Sequence, residues 1–314
     1  MRICTRTVLL ISALALLFGS MVHAQDNSAY NFLQLDVGAR AAALGGGPVV
    51  MVDDPNAIFY NPAALGTLTQ RRVSFGFFKH LLDINAGHAS FGTEIPNLGF
   101  VGAGIVYINY GEFARTGEEG EDLGTFHAGE LAVTAGYAGA LQPGLEYGVN
   151  AKFIYSSIAE AHSSAAAIDL GVQYVAIPDR ITIGISLLNL GTQLNPYVTT
   201  REDLPLNLRV GAELYPEHLP AALLLSLDRL NEKQDSFGQR FKAFSVGLDL
   251  LPGPNVHLRI GYNNGQRQDL KVLSSSGLAG FSIGGGINTD VYSVDYAYSS
   301  LGQIGAVHRI SITF

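Results

Sequence analysis

Of the eight histidines, the seven beyond His23 stand singly along the chain, at His80, His88, His127, His162, His218, His257 and His308. A zinc site needs imidazoles or thiolates at short fixed spacings, and these positions offer none. The single cysteine, Cys4, rules out a paired-cysteine zinc site. No serine nucleophile elbow, no His-Glu-x-x-His and no Walker loop occurs. Gly45-Gly46-Gly47 lacks the Lys-Ser/Thr that completes a phosphate-cradling loop. Glu118, Glu119, Glu121 and Asp122 supply the carboxylate oxygens that Ca²⁺ takes, but without a calcium-loop spacing. They read as a solvated loop. The residues therefore imply no catalytic, metal or cofactor site, and the chain is not expected to be an enzyme.

Another set of charges is more telling. Asp169, Arg209, Glu213, Asp249, Arg259, Asp295 and Arg309 all fall on the polar face of alternating stretches. Charges in a narrow interior must be paired. They are expected to form a paired network around something the strands enclose, or to line a substrate path.

The elements that would hold them are strands. Ile181, Ile183, Ile185 and Leu187 alternate with Thr182, Gly184 and Ser186. Leu206, Leu208, Val210, Ala212 and Leu214 alternate with Asn207, Arg209, Gly211 and Glu213. A period of two marks β-structure. Candidate strands lie near 72–80, 84–93, 97–109, 127–140, 145–157, 165–176, 180–190, 205–215, 220–229, 240–251, 255–263, 278–288, 291–299 and 305–314. Most are long enough to cross a hydrocarbon layer of ~30 Å at a tilt. Polar loops expected at 111–126, 191–204, 230–240 and 264–277 alternate with tight turns such as Gln142-Pro143-Gly144. Tyr107, Tyr110, Tyr155, Tyr215, Tyr262 and Tyr298 near strand ends suit interfacial girdles. Together these features predict an all-β transmembrane antiparallel barrel of about fourteen strands.

Composition agrees. Only 15% of the 314 residues are charged, against about 25% in ordinary soluble domains. With 47% hydrophobic residues the chain is not disordered. Its net charge is −8 and it has no Lys/Arg cluster, which argues against nucleic acid as a partner.

Residues 1–24 read as a signal peptide: Arg2 and Arg6, an apolar run from Val8 to Phe18, then Val22-His23-Ala24. Cleavage would remove two arginines and no acid, leaving a more acidic, cysteine-free exported chain. At the other end, Ile310, Ile312 and a terminal Phe314 resemble the assembly signal of bacterial outer-membrane barrels. The expected location is the bacterial outer membrane, with its lipid as one partner.

Residues 25–71 break the strand pattern. Asp53-Asp54 could cap a short helix over 55–60, and Asn61-Pro62 would end it. Leu33, Leu35, Leu44, Ile58, Phe59 and Leu65 need burial. The segment is expected to be a hatch inside a barrel of residues 72–314, with Gly284-Gly285-Gly286 making room for it.

The hatch motif, Asp53-Asp54 followed by Asn61-Pro62-Ala63, and the run Val37–Gly46 resemble the PorV/PorQ family of type IX secretion outer-membrane proteins, built as FadL-type barrels. Asp83-Ile84-Asn85, Tyr110-Gly111-Glu112-Phe113, Asn189–Gln193 and Leu258–Asn263 look like PorQ in particular. The resemblance implies a barrel that anchors surface partners, PorZ-like or PorU/PorV-like, or else a PorV-like shuttle that carries cargo from the translocon. The FadL likeness implies instead a transporter of a small hydrophobic ligand. A transporter needs an apolar lumen pocket, and the strands alone show none.

Overall fold

The structure is a computed structural model that describes residues 29–79, 84–232, 237–271 and 277–314. The expected signal segment, His80 and Asp83 lie outside the described residues. The strands are β1 (Arg72–Lys79), β2 (Asn85–Ile95), β3 (Gly99–Thr116), β4 (Asp122–Gln142), β5 (Leu145–Ile158), β6 (Ala161–Ile177) and β7 (Ile181–Asn195). They continue as β8 (Asn207–Leu214), β9 (Ala221–Leu227), β10 (Phe244–Gly253), β11 (Val256–Asn263), β12 (Phe281–Asn288), β13 (Ser293–Ser300) and β14 (Ala306–Thr313). Each pairs antiparallel with its sequence neighbour, and β1 pairs with β14, so these fourteen described strands close into one barrel.

Alternation settles which face is which. Phe75 and Phe77 point outward, while Ser74 and Phe78 are buried within. Ile183, Ile185, Leu258, Ile260, Ile310 and Ile312 likewise form an exposed apolar exterior. A closed barrel with an apolar exterior and a polar interior is the form in which β-structure crosses a bilayer, because every strand edge is paired. The protein is a transmembrane barrel of the bacterial outer-membrane kind.

The wall is uneven. β3 to β7 run 18, 21, 14, 17 and 15 residues, whereas β8 has 8 and β9 has 7. Eight residues span about 26 Å, close to the apolar belt of a membrane barrel. The taller side therefore projects beyond the belt. This corrects two expectations. The polar stretch 111–126 is not a loop: β3 and β4 stay paired as far as Thr116 and Asp122. Likewise β7 continues to Asn195. Beyond the belt both faces meet water, so the apolar alternation disappears while the backbone ladder persists. Bulges between Asn109 and Glu112 and between Ala114 and Thr116 further scramble the period.

The seam depends on the last residue. The Phe314 amide donates to the Val73 carbonyl at 2.8 Å, and the Val73 amide donates to Phe314 at 2.9 Å. Deleting Phe314 removes both bonds and an exposed aromatic anchor. Folded barrel in the outer membrane is expected to fall several-fold, read as the heat-modifiable band on gels of membrane fractions. An unchanged band would show that neither seam bond nor anchor matters.

Inside the barrel, residues 29–71 run from one end to the other. The Ala29 amide donates to Asp203 in the β7–β8 connection, at the loop end. The segment then passes through a short 3-10 helix at Asn31–Gln34, through α1 (Ala39–Ala43), packed against β12 and β13, and through two further 3-10 helices, Pro55–Phe59 and Pro62–Thr67. It joins β1 at the opposite, turn end. Val49, Val50, Met51, Ile58 and Leu65 are almost wholly buried, each stabilising the packed state by about 1.5–3 kcal/mol. A Cβ on Gly284 would lie 2.5 Å from the Ala43 Cβ, so glycine there admits α1.

Candidate functional site

The 3-10 helices Pro55–Phe59 and Pro62–Thr67 fix the inner segment at its turn-end half. Asp54 Oδ1 accepts from the Asn56 amide at 2.8 Å and caps the first helix. Asn61 both follows that helix and opens the second: its Oδ1 accepts from the Ala63 amide at 3.1 Å. Its Nδ2 donates to the Val49 carbonyl at 3.0 Å. The motif is received by two glycines of the wall. A Cβ on Gly148 of β5 would lie 2.3 Å from the Pro62 carbonyl carbon, and one on Gly171 of β6 only 2.0 Å from Asn61 Oδ1.

Asp53 departs from the expected capping role. It takes a left-handed backbone, φ 52°, and turns its carboxylate to the start of the barrel. It pairs with Arg72 at 2.5 Å and accepts from the Thr69 amide at 3.0 Å. Arg40 of α1 pairs with Asp54 at 3.5 Å. These contacts and Arg259, bonded to Asp249 and Asp295, surround a polar vestibule of about 220 Å³ at the turn end.

The expected charged network is present in parts. Asp169 pairs with Lys152 at 2.9 Å and accepts from Asn150 Nδ2 at 2.9 Å and from the Asn189 amide at 2.8 Å. Asn189 sits at a bulge between β6 and β7 with φ 62°, and its Oδ1 accepts from Lys152 at 2.8 Å. Arg209 pairs with Asp228 and donates to the Gly47 carbonyl. Two members depart from pairing. Glu213 accepts a hydrogen bond from the Tyr215 hydroxyl at 3.1 Å, and among the described residues no cation pairs with it. Arg309 donates to the Asp36 carbonyl and to Ser299 and lies over the Phe78 ring at 5.0 Å. Among the described residues it has no carboxylate partner. Both sit where the inner segment, and not a neighbouring strand, fills the space opposite.

Above the second helix a cavity of about 450 Å³ opens between the inner segment and the wall. Phe32, Leu33, Leu35, Val37, Phe59 and Tyr60 supply its inner side. The wall contributes Val106, Ala132, Leu188 and Val307. Lys152, Asn189, Arg209 and Arg309 place donors along one flank. The site is thus apolar with a charged edge, where Asp36, Asp228 and Asp269 stand among the cations, and it supplies an apolar pocket that the strands alone did not show. Its apolar wall comes largely from outside the strands, which strand periodicity cannot show. A signal existed nonetheless. Phe77-Phe78, Val106 between Ile105 and Tyr107, Phe153-Ile154 and Leu187-Leu188 are lapses in the alternation. Each places a large apolar side chain inside, at or near the loop-end half of its strand.

No protein-family model matches the chain, and no curated protein matches it by sequence. Solved structures do match by shape. The toluene transporter TbuX of Ralstonia pickettii superimposes with a TM-score of 0.59 at 13% identity, covering 91% of this chain and 98% of that one. The fold is that of the FadL-type barrels. A FadL homologue of Pseudomonas aeruginosa gives a TM-score of 0.56 at 11% identity, over 89% of this chain and 98% of that one. The toluene transporter TodX of Pseudomonas putida gives 0.58 at 12%, over 89% and 97%. At such identities the likeness establishes architecture alone. Among these comparisons nothing points to the PorV/PorQ family.

Proposed function

We propose that this FadL-type barrel binds a small hydrophobic molecule in its lumen and carries it across the outer membrane, without catalysis. The observation that carries the reading is the 450 Å³ cavity lined by Phe32, Leu33, Leu35, Val37 and Phe59. A pocket of this size, mostly apolar with a few placed donors, has the dimensions of a small-molecule site. The solved structures of similar shape include toluene transporters. The FadL-like alternative is therefore better supported than attachment of secretion partners.

The test is equilibrium binding of 1-N-phenylnaphthylamine to the purified full chain in detergent. Saturable binding at one site is expected. Leu35→Asp is expected to weaken it by about tenfold or more, since a carboxylate must then be desolvated against the ligand. Only non-saturable partitioning, unaffected by Leu35→Asp, would defeat the reading.

One feature favours a second reading, the anchoring of surface proteins implied by the PorV/PorQ resemblance. The β3–β4 hairpin stands beyond the belt and carries exposed Phe113 and Leu123. Phe113 stacks on Phe126 at 5.3 Å, and Arg115 braces the hairpin against Glu160 of the β5–β6 turn at 2.8 Å. Hydrogen bonds from Arg115 hold the Glu160 carboxyl below its usual range. Recovery of a sortase-like or PorZ-like protein in crosslinked pull-downs, lost on exchanging 111–126, would support it. Recovery of the barrel alone would oppose it.

A further inference from the structure

Among the described residues, two loop-end connections meet across the outer side of the cavity. One is Arg229, just after β9. The other is the short helix α2 (Asn264–Asp269), just after β11. Arg229, Gly265, Gln266 and Asp269 all line the cavity. Arg229 Nη1 lies 3.1 Å from Asp269 Oδ2. The Asp269 side chain is 57% exposed and that of Arg229 only 22%, so the pair stands where the cavity meets solvent.

Three details give this contact a purpose. Asp228 and Arg229 divide their work: Asp228 reaches inward to Arg209, and Arg229 reaches across the opening to α2. Arg229 adopts a left-handed backbone, φ 55°, while its amide donates to Asn207 Oδ1 at 2.8 Å. Its guanidinium lies against the backbone of α2, where a Cβ on Gly265 would be 2.8 Å from Nη2. The helix itself is anchored at its start, because Asn263 Oδ1 accepts from the Gln266 amide at 2.9 Å and Asn264 Nδ2 donates to the Lys242 carbonyl at 2.7 Å. At its far end Leu270 packs against the buried lumen cluster, and the charged contact there is the pair with Arg229. An exposed ion pair is a weak fastening. A six-residue helix held by a cap, one apolar side chain and an ion pair at the solvent edge opens more often than the fold as a whole.

We infer that α2 is a strap across the mouth of the lumen cavity, that the Arg229–Asp269 ion pair is its latch, and that a hydrophobic solute reaches the cavity by passing this point when the latch is released. The inference rests on the binding reading given above and adds the route and its control. A latch of this kind slows association and dissociation together and leaves the equilibrium affinity nearly unchanged, because it is closed both before and after binding.

The test exploits the cysteine-free mature chain expected after loss of Cys4. Arg229→Cys/Asp269→Cys, bridged by a short bis-methanethiosulfonate reagent in the full-length barrel, is expected to slow 1-N-phenylnaphthylamine association and dissociation by about tenfold or more. Reduction should restore both rates. Gly265→Ala pushes the guanidinium away, and more mildly crowds the Asn263 cap at 3.2 Å, while leaving both charges in place; it is expected to speed both rates several-fold. It also keeps the test open if the double variant fails to give the heat-modifiable folded band. Rates unchanged by the bridge and by Gly265→Ala, with the probe still binding the unaltered barrel, would overturn the strap and leave the binding reading standing. Failure of the unaltered barrel to bind the probe would overturn both. Loss of affinity with unchanged association rate would also overturn the strap, since it would make α2 part of the site and not its gate.

Discussion

Asn61→Leu is expected to raise the vancomycin susceptibility of cells carrying this barrel by about tenfold, because it unseats the segment that fills the lumen. Leucine removes the cap on the 3-10 helix Pro62–Thr67, at about 1 kcal/mol. It also leaves the buried Ala63 amide and Val49 carbonyl without their partner, at about 1–3 kcal/mol for each orphaned group. The branched side chain has nowhere to go, because Gly171 has left only enough room for the amide. Gly171→Val attacks the same seat from the wall and should give the same phenotype. Vancomycin is too large for the intact outer membrane, so its minimal inhibitory concentration reads the open lumen. Normal folded levels with unchanged susceptibility in both variants would show that residues 29–71 do not occlude the barrel.

The second large effect concerns Lys152 and Asp169. Both are nearly inaccessible, and they share a 2.9 Å contact on the inner face of β5 and β6. Asp169→Leu leaves an ammonium buried without a counter-charge. Breaking one partner of a buried pair costs about 3–5 kcal/mol. It also strands the Asn189 amide at the bulge, which no strand neighbour serves. Lys152→Met/Asp169→Leu removes the stranded charge and is expected to recover more than half of the loss, since apolar replacements of buried pairs are often well tolerated. Guanidinium unfolding of barrels reconstituted in short-chain lipid vesicles, followed by tyrosine fluorescence, gives both numbers. A double variant as unstable as the single one would mean that the charge pair is not what matters there and that the hydrogen bonds to the bulge are.

The barrel was legible because membrane strands must alternate. The run Ile181–Leu187 shows its outward face by composition alone, and so do its counterparts around the sheet. The loop-end extensions were not legible. Past the apolar belt nothing forces residues 111–116 and 122–126 to alternate, although their backbones remain paired. The hatch motif was legible as residues that need a partner, but only partly in its roles. Asp54 caps as its type suggests, whereas Asp53 is turned away by its left-handed backbone toward Arg72. The cavity was the least legible part. Its inner side is contributed by Phe32, Leu33, Leu35 and Val37, whose location depends on how the whole segment threads the lumen. Arg309 could be placed on the polar face from sequence, but not that it has no carboxylate partner among the described residues, which follows from what the inner segment sets opposite it.

The central claim is that a hydrophobic molecule occupies the lumen between the inner segment and the wall. Photolabelling tests it most directly. The purified barrel is equilibrated with a diazirine-bearing aromatic hydrocarbon, irradiated, digested and mapped by mass spectrometry. Labels on Phe32, Leu33, Leu35, Phe59 and Leu301, suppressed by excess unlabelled toluene, are the expected result. Labels confined to outward-facing residues such as Phe75, Ile183 and Ile310, and indifferent to toluene, would contradict it.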